Sequence, residues 1–426
     1  MNEIIKQQLL TILEEETELA QGCTEPIAGA YTSAIAKRIL DEEVIAVEIT
    51  ASKNIIKNAK GVIIPGTTDL MGIEASVVLG YLIGESQLKM EVLSGINQQA
   101  IDQTKLILKS GIVKLKQSDS PAKLMMTVRL YGSNGWAEAT IMHMHTNVVQ
   151  IIKNDMILQN KPCDEYDINS ALTTKENLSL ENIRMLVEDD DLEIPAIIDE
   201  QIKYNSLISM EGLNGIWGAQ VGRINKLQTK ADGLDFDIRR SACAVAASGS
   251  DARMSGCSLP VVTLNGSGNQ GMTVVLPILE YAKHYKIDND KVKRSVLFAD
   301  LVAIRIKQTT GRLSSLCGAT FAAIGSIAGI LYMLDYPQLV IEMMIKNSIS
   351  NNTGVICDGA KASCALKIYS GLDTALLSAQ LAINGSVVPD GTGIIKPNIE
   401  ETIDGLKLIS DAMIDVDTAV MQILMK

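Results

Sequence analysis

The stretch LMMTVRLYGSNGWAEATIMHMHT, residues 124–146, indicates the fold class of this chain. Apolar and β-branched residues dominate both halves, and the Asn-Gly pair between them is a preferred centre for a tight hairpin turn. The stretch therefore predicts two antiparallel strands joined at YGSNGW. On either side of it, VIAVEIT, GIVKLKQ and NVVQIIK have the same strand-like composition, which predicts an antiparallel sheet.

Helical patterns surround these strands. GIEASVVLGYLIG and NQQAIDQTKLILKSG carry apolar residues at helical spacing. We expect an α+β fold, in which a discontinuous, mainly helical domain of residues 1–42 and 196–426 holds an inserted α+β domain of residues 43–195. The acidic run VEDDDLEIP, residues 187–195, is the expected linker because clustered like charges resist packing. Residues 1–22 are predicted to form one amphipathic helix.

The bulk composition excludes several classes of function. A net charge of −12 over 426 residues leaves no basic stripe for nucleic acid. The seven cysteines are odd in number and widely spread, so they do not resemble a disulfide framework, and the start of the chain has no secretory signal. We therefore expect a cytoplasmic protein.

One uncharged segment, LSSLCGATFAAIGSIAGILYML at residues 313–334, is long enough to span a bilayer. It is rich in Gly, Ala and Ser, and it has no flanking belt of aromatic residues. A buried helix packed closely against its neighbours is the better interpretation, so no membrane partner is expected.

Three late cysteines could bind an inorganic group. Cys317, Cys357 and Cys364 follow the pattern C-x39-C-x6-C, and each lies beside a glycine or another small residue. Thiolates are soft ligands that suit iron–sulfur clusters and zinc. Three ligands would leave one iron of a four-iron cluster open to a substrate. Spacing alone favours a simpler interpretation, in which these are buried core cysteines.

A second candidate is QGCTEP, residues 21–26. Thr24 suits an N-cap, and Pro26 suits the first turn of a helix that ends near Leu40. Cys23 would then lie just outside a helix N-terminus, where the dipole lowers a thiol pKa. The thiolate could act as a base or nucleophile, or the segment could be a plain capping turn.

The third candidate is LPVVTLNGSGNQGMTVVLPILEYAKHY, residues 259–285, which contains a literal G-x-G-x-x-G after a strand-like run. That match admits an NAD-dependent oxidoreductase, although no acidic residue ends a clear second strand. The loop also suits a carboxylate, because backbone amides cluster at a helix N-terminus. We favour the carboxylate, with the substrate-binding residues Asn265, Gly266, Ser267, Gly268, Asn269 and Gln270.

Weaker candidates complete the set. His143 and His145 are two apart on a predicted strand, so they share a face that is expected to be solvated rather than to bind metal. Packing is the expected role of Cys243, and also of Cys257, although Cys257 lies close to the Gly-rich loop in sequence. Arg312 and Lys361 are embedded in the cysteine motifs and could assist with charge or serve structure.

Taken together, GCTEP, MSGCSLPVVTLNGSGNQG, GRLSSLCGA and NNTGVICDGAKASCALK resemble the L-cysteine desulfidase family, including its serine dehydratase-like relatives. The likeness runs through nearly the whole chain, and it extends more distantly to iron–sulfur L-serine dehydratases. It implies a [4Fe-4S] cluster held by Cys317, Cys357 and Cys364, with Cys23 as the catalytic thiol. It further implies conversion of L-cysteine to pyruvate, ammonia and hydrogen sulfide without pyridoxal phosphate.

Three alternatives to a cysteine lyase remain open, and the first is an iron–sulfur dehydratase that acts on L-serine. The second is the NAD-dependent oxidoreductase, and the third is a non-enzymatic iron–sulfur sensor, for which no DNA-binding pattern is present. As partners we expect a small amino-acid substrate and a second copy of the chain in a homodimer, with no nucleic acid and no membrane.

Overall fold

The hairpin predicted at residues 124–146 is present. A computed structural model describes residues 1–166, 173–234 and 236–425, and in it strands β4 (Met125–Tyr131) and β5 (Trp136–Met142) pair antiparallel. The Gly132 amide donates a hydrogen bond to the Gly135 carbonyl at 2.8 Å, which closes the turn. The predicted antiparallel pairing is therefore confirmed, and the turn lies where the Asn-Gly pair predicts it.

The hairpin lies inside a six-stranded sheet, ordered β3-β2-β4-β5-β6-β7. Its other strands are β2 (Ala46–Ala51), β3 (Val113–Gln117), β6 (Val148–Lys153) and β7 (Met156–Asn160). All neighbours pair antiparallel except β2 and β3, which are parallel. Parallel strands need a long crossover, and the chain between β2 and β3 supplies it with helices. The predicted α+β fold with an antiparallel sheet is confirmed, with one parallel pair added.

Helices make up most of the remaining chain. A 3₁₀ helix covers Ser86–Glu91. The α-helices are α1 (Glu3–Glu16), α2 (Thr24–Leu40), α3 (Lys53–Ala59), α4 (Gly72–Ile83), α5 (Gln98–Ser110), α6 (Leu180–Val187), α7 (Ala196–Asn214), α8 (Val221–Ala231), α9 (Ile238–Met254), α10 (Gly268–Tyr285), α11 (Asn289–Gln308), α12 (Gly318–Met333), α13 (Gln338–Asn352), α14 (Cys364–Ile383), α15 (Ile399–Ala412) and α16 (Ile414–Met425).

Helix α2 packs on the sheet, against β4, β5 and α4. Gly80 of α4 allows the close approach, because a Cβ atom there would overlap the backbone of Ala30. Residues 24–40, which the sequence placed in the helical domain, thus contribute to the same apolar core as the sheet. The division at residues 42 and 195 stays a prediction.

The second core is helical and is built around α12, whose residues from Ala319 to Met333 are all buried. Cβ atoms added at Gly325 and Gly329 would lie 2.6 and 2.8 Å from backbone carbonyl oxygens of α11. The predicted buried, tightly packed helix is confirmed over Gly318–Met333, whereas residues 313–317 of the quoted segment precede the helix and are not helical. No helix in the described part of the chain is long and apolar enough to cross a membrane.

The prediction of one helix over residues 1–22 is wrong at its end. Helix α1 stops at Glu16, and Thr17–Gln21 form strand β1, which pairs antiparallel with β8 (Pro260–Leu264). The partner strand is far away in sequence, so local periodicity could not reveal it. The pairing matters for the site because β1 leads into Cys23 and β8 leads into the Gly-rich loop.

Candidate active site

The candidate site is a cavity of about 90 Å³ between the sheet side of the molecule and the helical side. Helices α2 and α3 contribute to it from one side, and α9, α10, α12 and α14 from the other. Every predicted site residue except Gly268 lines it: Cys23, Asn265, Gly266, Ser267, Asn269, Gln270, Cys317, Cys357 and Cys364.

Four helices begin at this cavity. Their N-caps are Cys23 for α2, Ser267 for α10, Cys317 for α12 and Ser363 for α14, and none of these side chains makes a capping hydrogen bond. Away from the cavity, α5 is capped by the Asn97 side chain, whereas α4, α7 and α13 also begin without a side-chain cap. The first amides of a helix lack partners within it and carry partial positive charge. Four uncapped N-termini around one cavity favour a bound anion.

Two loops bring the first pair of late cysteines together. The Cys317 amide donates to the Val355 carbonyl at 2.9 Å, and the Cys357 amide donates to the Ser315 carbonyl at 2.7 Å. These reciprocal backbone bonds hold the segments side by side, so the long gap in sequence becomes a short one in space. Cys317 is buried and Cys357 is partly exposed.

Cys364 joins them from the start of α14. The Lys361 amide donates to its Sγ at 3.4 Å, which ties the thiol to the turn before the helix. Gly359, in the same turn, has φ +98°, and a Cβ atom there would lie 2.6 Å from the Lys57 carbonyl oxygen of α3. Glycine at this position is therefore required both for the left-handed backbone and for the close approach to α3.

The three late thiols do not form a site for a single metal ion. In the described ranges, no group of three or more His, Cys, Asp or Glu side chains is arranged to hold one metal ion. Ligands of a single zinc ion converge to about 2.3 Å from it, whereas each thiolate of a four-iron cluster can bind a different iron. Burial, and then the neighbouring Cys357 and Cys364, raise the pKa of Cys317 to about 12. Three thiolates here therefore need a positive group to balance their charge.

The expected low pKa of Cys23 is wrong for this structure. The side chain is 1% exposed, and its Sγ donates to Glu25 Oε2 at 3.2 Å. Burial, followed by the negative charge of Glu25, raises the pKa of the Cys23 thiol well above its usual value. Cys23, rather than Thr24, is also the N-cap residue. Thr24 instead donates to the Gly266 carbonyl at 2.9 Å and so joins this turn to the Gly-rich loop.

Glu25 is the centre of a buried polar group. Asn58 Nδ2 donates to its Oε1 at 2.9 Å, and His145 Nε2 lies 3.9 Å from the same oxygen. Burial opposes ionisation, but His145 and the hydrogen bonds outweigh it and hold the pKa of Glu25 below its usual value. The expectation of a solvated His143–His145 strand face is wrong: β5 ends at Met142, and both histidines are buried.

The Gly-rich loop connects β8 to α10. Asn265 has φ +52°, and its Nδ2 donates to Gln270 Oε1 at 3.2 Å, so two of the predicted side chains brace each other. Among the described residues, β8 has β1 as its one partner, and the pair is antiparallel. A dinucleotide fold places this motif in a parallel βαβ unit, so the structure disfavours the NAD interpretation.

Comparison with known proteins gives the family of this chain. Residues 87–422 match the family model described as serine dehydratase alpha chain. The chain belongs to the serine dehydratase alpha-chain family. It is also similar to UPF0597 proteins of Fusobacterium nucleatum, 38% identical over 424 residues (99% of both chains), and of Treponema denticola, 38% identical over 424 residues (99% of this chain, 98% of the relative). Family membership indicates a serine dehydratase-like lyase.

In this member of the serine dehydratase alpha-chain family, several residues that line the cavity were not predicted from the sequence. Lys307 is buried, and burial lowers its pKa to about 7, while its Nζ donates to Ser314 Oγ at 2.9 Å. Asn58 and Lys307 lie inside helices whose patterns give no sign of a site. Arg253 directly precedes the quoted MSGC motif, and Glu25 lies within GCTEP, so adjacency could have found both.

Two other cysteines stay outside the site. Cys243 lies in the helical core, and Cys257 is buried but is not among the residues that line the cavity.

Proposed function

We propose that this chain catalyses the α,β-elimination of L-cysteine without pyridoxal phosphate, giving pyruvate, ammonia and hydrogen sulfide. One observation carries the proposal: Cys23, the Gly-rich loop and the three late cysteines line a single cavity. Family membership supports the reaction type, since a serine dehydratase removes a β-substituent from an amino acid in the same way.

Cys317, Cys357 and Cys364 would hold a [4Fe-4S] cluster, consistent with the iron–sulfur dependence that is general in the family. When bound through three thiolates, such a cluster supplies an open iron, a Lewis acid for a soft sulfur leaving group. The uncapped starts of α2, α10, α12 and α14 place positive dipole ends around the thiolates.

The loop from Asn265 to Gln270 would bind the substrate's carboxylate. The amides at the start of α10 have no helical partner, and Ser267 does not cap them with its side chain. A carboxylate accepts hydrogen bonds from such amides and is favoured by the helix dipole. The Asn265–Gln270 hydrogen bond keeps the loop in this shape before a substrate arrives.

Cys23 would remove the α-proton. Its thiol donates to Glu25, so Glu25 is the group that would take the thiol proton before Cys23 accepts one from the α-carbon. This first transfer is uphill, because the pKa of Cys23 lies above its usual value and that of Glu25 lies below its own. The electrons of the Cα–H bond form the Cα–Cβ double bond, the Cβ–S bond breaks, and sulfide leaves with its electron pair. The aminoacrylate product tautomerises and hydrolyses to pyruvate and ammonia.

L-serine is the second candidate substrate, and the family description favours it. Hydroxide is a harder leaving group than sulfide, so a soft thiolate-ligated iron favours the sulfur compound. Anaerobically purified protein should be given L-cysteine or L-serine at equal concentrations, with pyruvate and sulfide measured. We expect equal amounts of pyruvate and sulfide from L-cysteine and a lower kcat/KM for L-serine. A higher kcat/KM for L-serine would reassign the substrate, and pyruvate from neither would contradict the proposal.

A further inference from the structure

The cavity contains a buried arginine that makes no ion pair with any described side chain. Arg253, near the end of α9, is 2% exposed, and within the described ranges no carboxylate lies in ion-pair distance of it. Its Nη1 donates to Asn269 Oδ1 at 3.2 Å, while its Nε has no acceptor. A guanidinium stays charged at any ordinary pH, so an unpaired one in the interior is costly. Such a group indicates an anion that arrives from outside the chain.

The other basic side chains at the cavity differ from Arg253. Lys57 pairs with Asp417 at 2.6 Å, and Arg312 pairs with Glu16 at 2.7 Å. Lys307 is held by neutral hydroxyl and carbonyl oxygens, and its pKa of about 7 allows it to lose its charge. Arg253 is therefore the fixed positive charge at the cavity that makes no direct ion pair with a described side chain, although the charge of Glu25 acts on it from nearby.

The Gly-rich loop is shaped around this guanidinium. A Cβ atom added at Gly268 would lie 2.5 Å from Arg253 Nε, and the same position is closed on another side by Val261. The glycine therefore gives room to an arginine side chain, which explains why Gly268 itself does not line the cavity. The guanidinium thus lies against the first residue of α10, whose uncapped amides favour the same kind of ligand.

We propose that Arg253 is the residue that recognises the substrate's α-carboxylate, together with the first amides of α10. The inference rests on the proposed function. It adds that the positive charge of Arg253 selects substrates with a free α-carboxylate and rejects amides or esters of the same amino acid. A guanidinium can donate two parallel hydrogen bonds to a carboxylate, which no single amide can do. Because the Arg253 guanidinium and the first amides of α10 lie so close together, they can bind the same carboxylate.

The test is equilibrium binding by calorimetry to the cluster-loaded protein. The probes are L-alanine, which has no leaving group, and L-alaninamide, which lacks the carboxylate. We expect the wild type to prefer L-alanine by about ten- to a hundred-fold, as one charged hydrogen-bonding contact provides. Arg253→Gln should reduce that preference to nearly none, and Arg253→Lys should keep part of it.

Gly268→Ala, which displaces the guanidinium without removing it, should also weaken the preference. Arg240→Gln is the matched control, since this exposed arginine pairs with Asp232 far from the cavity. Equal binding of both probes to the wild type, or an unchanged preference in a folded Arg253→Gln protein, would overturn the inference. The wild type could prefer L-alanine over L-alaninamide, and Arg253→Gln could lose that preference, while L-cysteine gives no pyruvate. In that case the proposed reaction is wrong and the carboxylate site is retained.

Discussion

At the scale of single residues, the site is governed by the competition between Cys23 and Glu25. A helix N-terminus lowers a thiol pKa, but its effect is worth only about 0.3–1 kcal/mol in ordinary settings. Burial and a carboxylate in direct hydrogen-bond contact oppose it, and they prevail. The protein therefore holds Cys23 as a thiol whose proton already points at an ionised acceptor.

Glu25→Gln tests this arrangement through the reactivity of Cys23. Loss of the negative charge lowers the pKa of Cys23, so alkylation of that thiol at pH 8 should become faster than in the wild type. Turnover should fall by about 10²–10⁴-fold, because the proton acceptor is lost. Peptide mass spectrometry with iodoacetamide measures the first effect. The exposed Glu193→Gln is the control, and an unchanged Cys23 alkylation rate would show that Glu25 does not set the thiol's pKa.

Cys23→Ser separates catalysis from cluster binding. A hydroxyl is far too weakly acidic to exchange protons as the thiol does, so pyruvate formation should become undetectable. Iron content should equal that of the wild type, because Cys23 is not one of the three proposed ligands. Wild-type turnover in this variant would remove Cys23 from the mechanism.

At the scale of elements, the helical core depends on small residues at the contact of α11 and α12. Gly325→Ala places a methyl group 2.6 Å from the Ala299 carbonyl, so the helices must separate. We expect the free energy of unfolding to fall by about 1–3 kcal/mol, as overpacking usually costs. Gly405→Ala in α15 is the control with the opposite sign, since nothing lies within 4 Å of that position. It should stabilise the protein by about 0.5–1 kcal/mol, and urea unfolding of both variants checks the pair.

Asp300 of α11 predicts a pH dependence of stability. Its Oδ1 accepts from Gln201 of α7 at 3.0 Å, and burial raises its pKa to about 8. Between about pH 4 and pH 8 the folded state keeps a proton that the unfolded state has released. This group therefore reduces stability by about 1.4 kcal/mol for each pH unit gained in that window. Asp300→Asn should flatten the slope measured by urea midpoints at pH 5 and pH 8, whereas the exposed Asp335→Asn should not.

At the scale of the whole molecule, features encoded locally could be predicted and long-range contacts could not. The β4–β5 hairpin follows from one Asn-Gly turn, and the buried α12 follows from its composition. The pairing of β1 with β8, and the approach of Asn58 and His145 to Glu25, depend on segments distant in sequence. The low pKa expected for Cys23 was wrong for the same reason, since a dipole argument cannot weigh burial that only the assembled molecule creates.

Three expectations about the whole molecule stay predictions: the division into residues 1–42, 43–195 and 196–426, the homodimer and the cytoplasmic location.

The most direct test of the central claim is to measure the rate of pyruvate formation from L-cysteine against the iron bound per chain. Iron-free protein is reconstituted anaerobically in steps, and the Cys317→Ser, Cys357→Ser and Cys364→Ser variants are treated alongside. We expect activity to rise in proportion to bound iron up to about four irons per chain, and the variants to gain neither iron nor activity. Full activity in iron-free protein, or full iron content in a variant that carries all three Cys→Ser substitutions, would contradict the account.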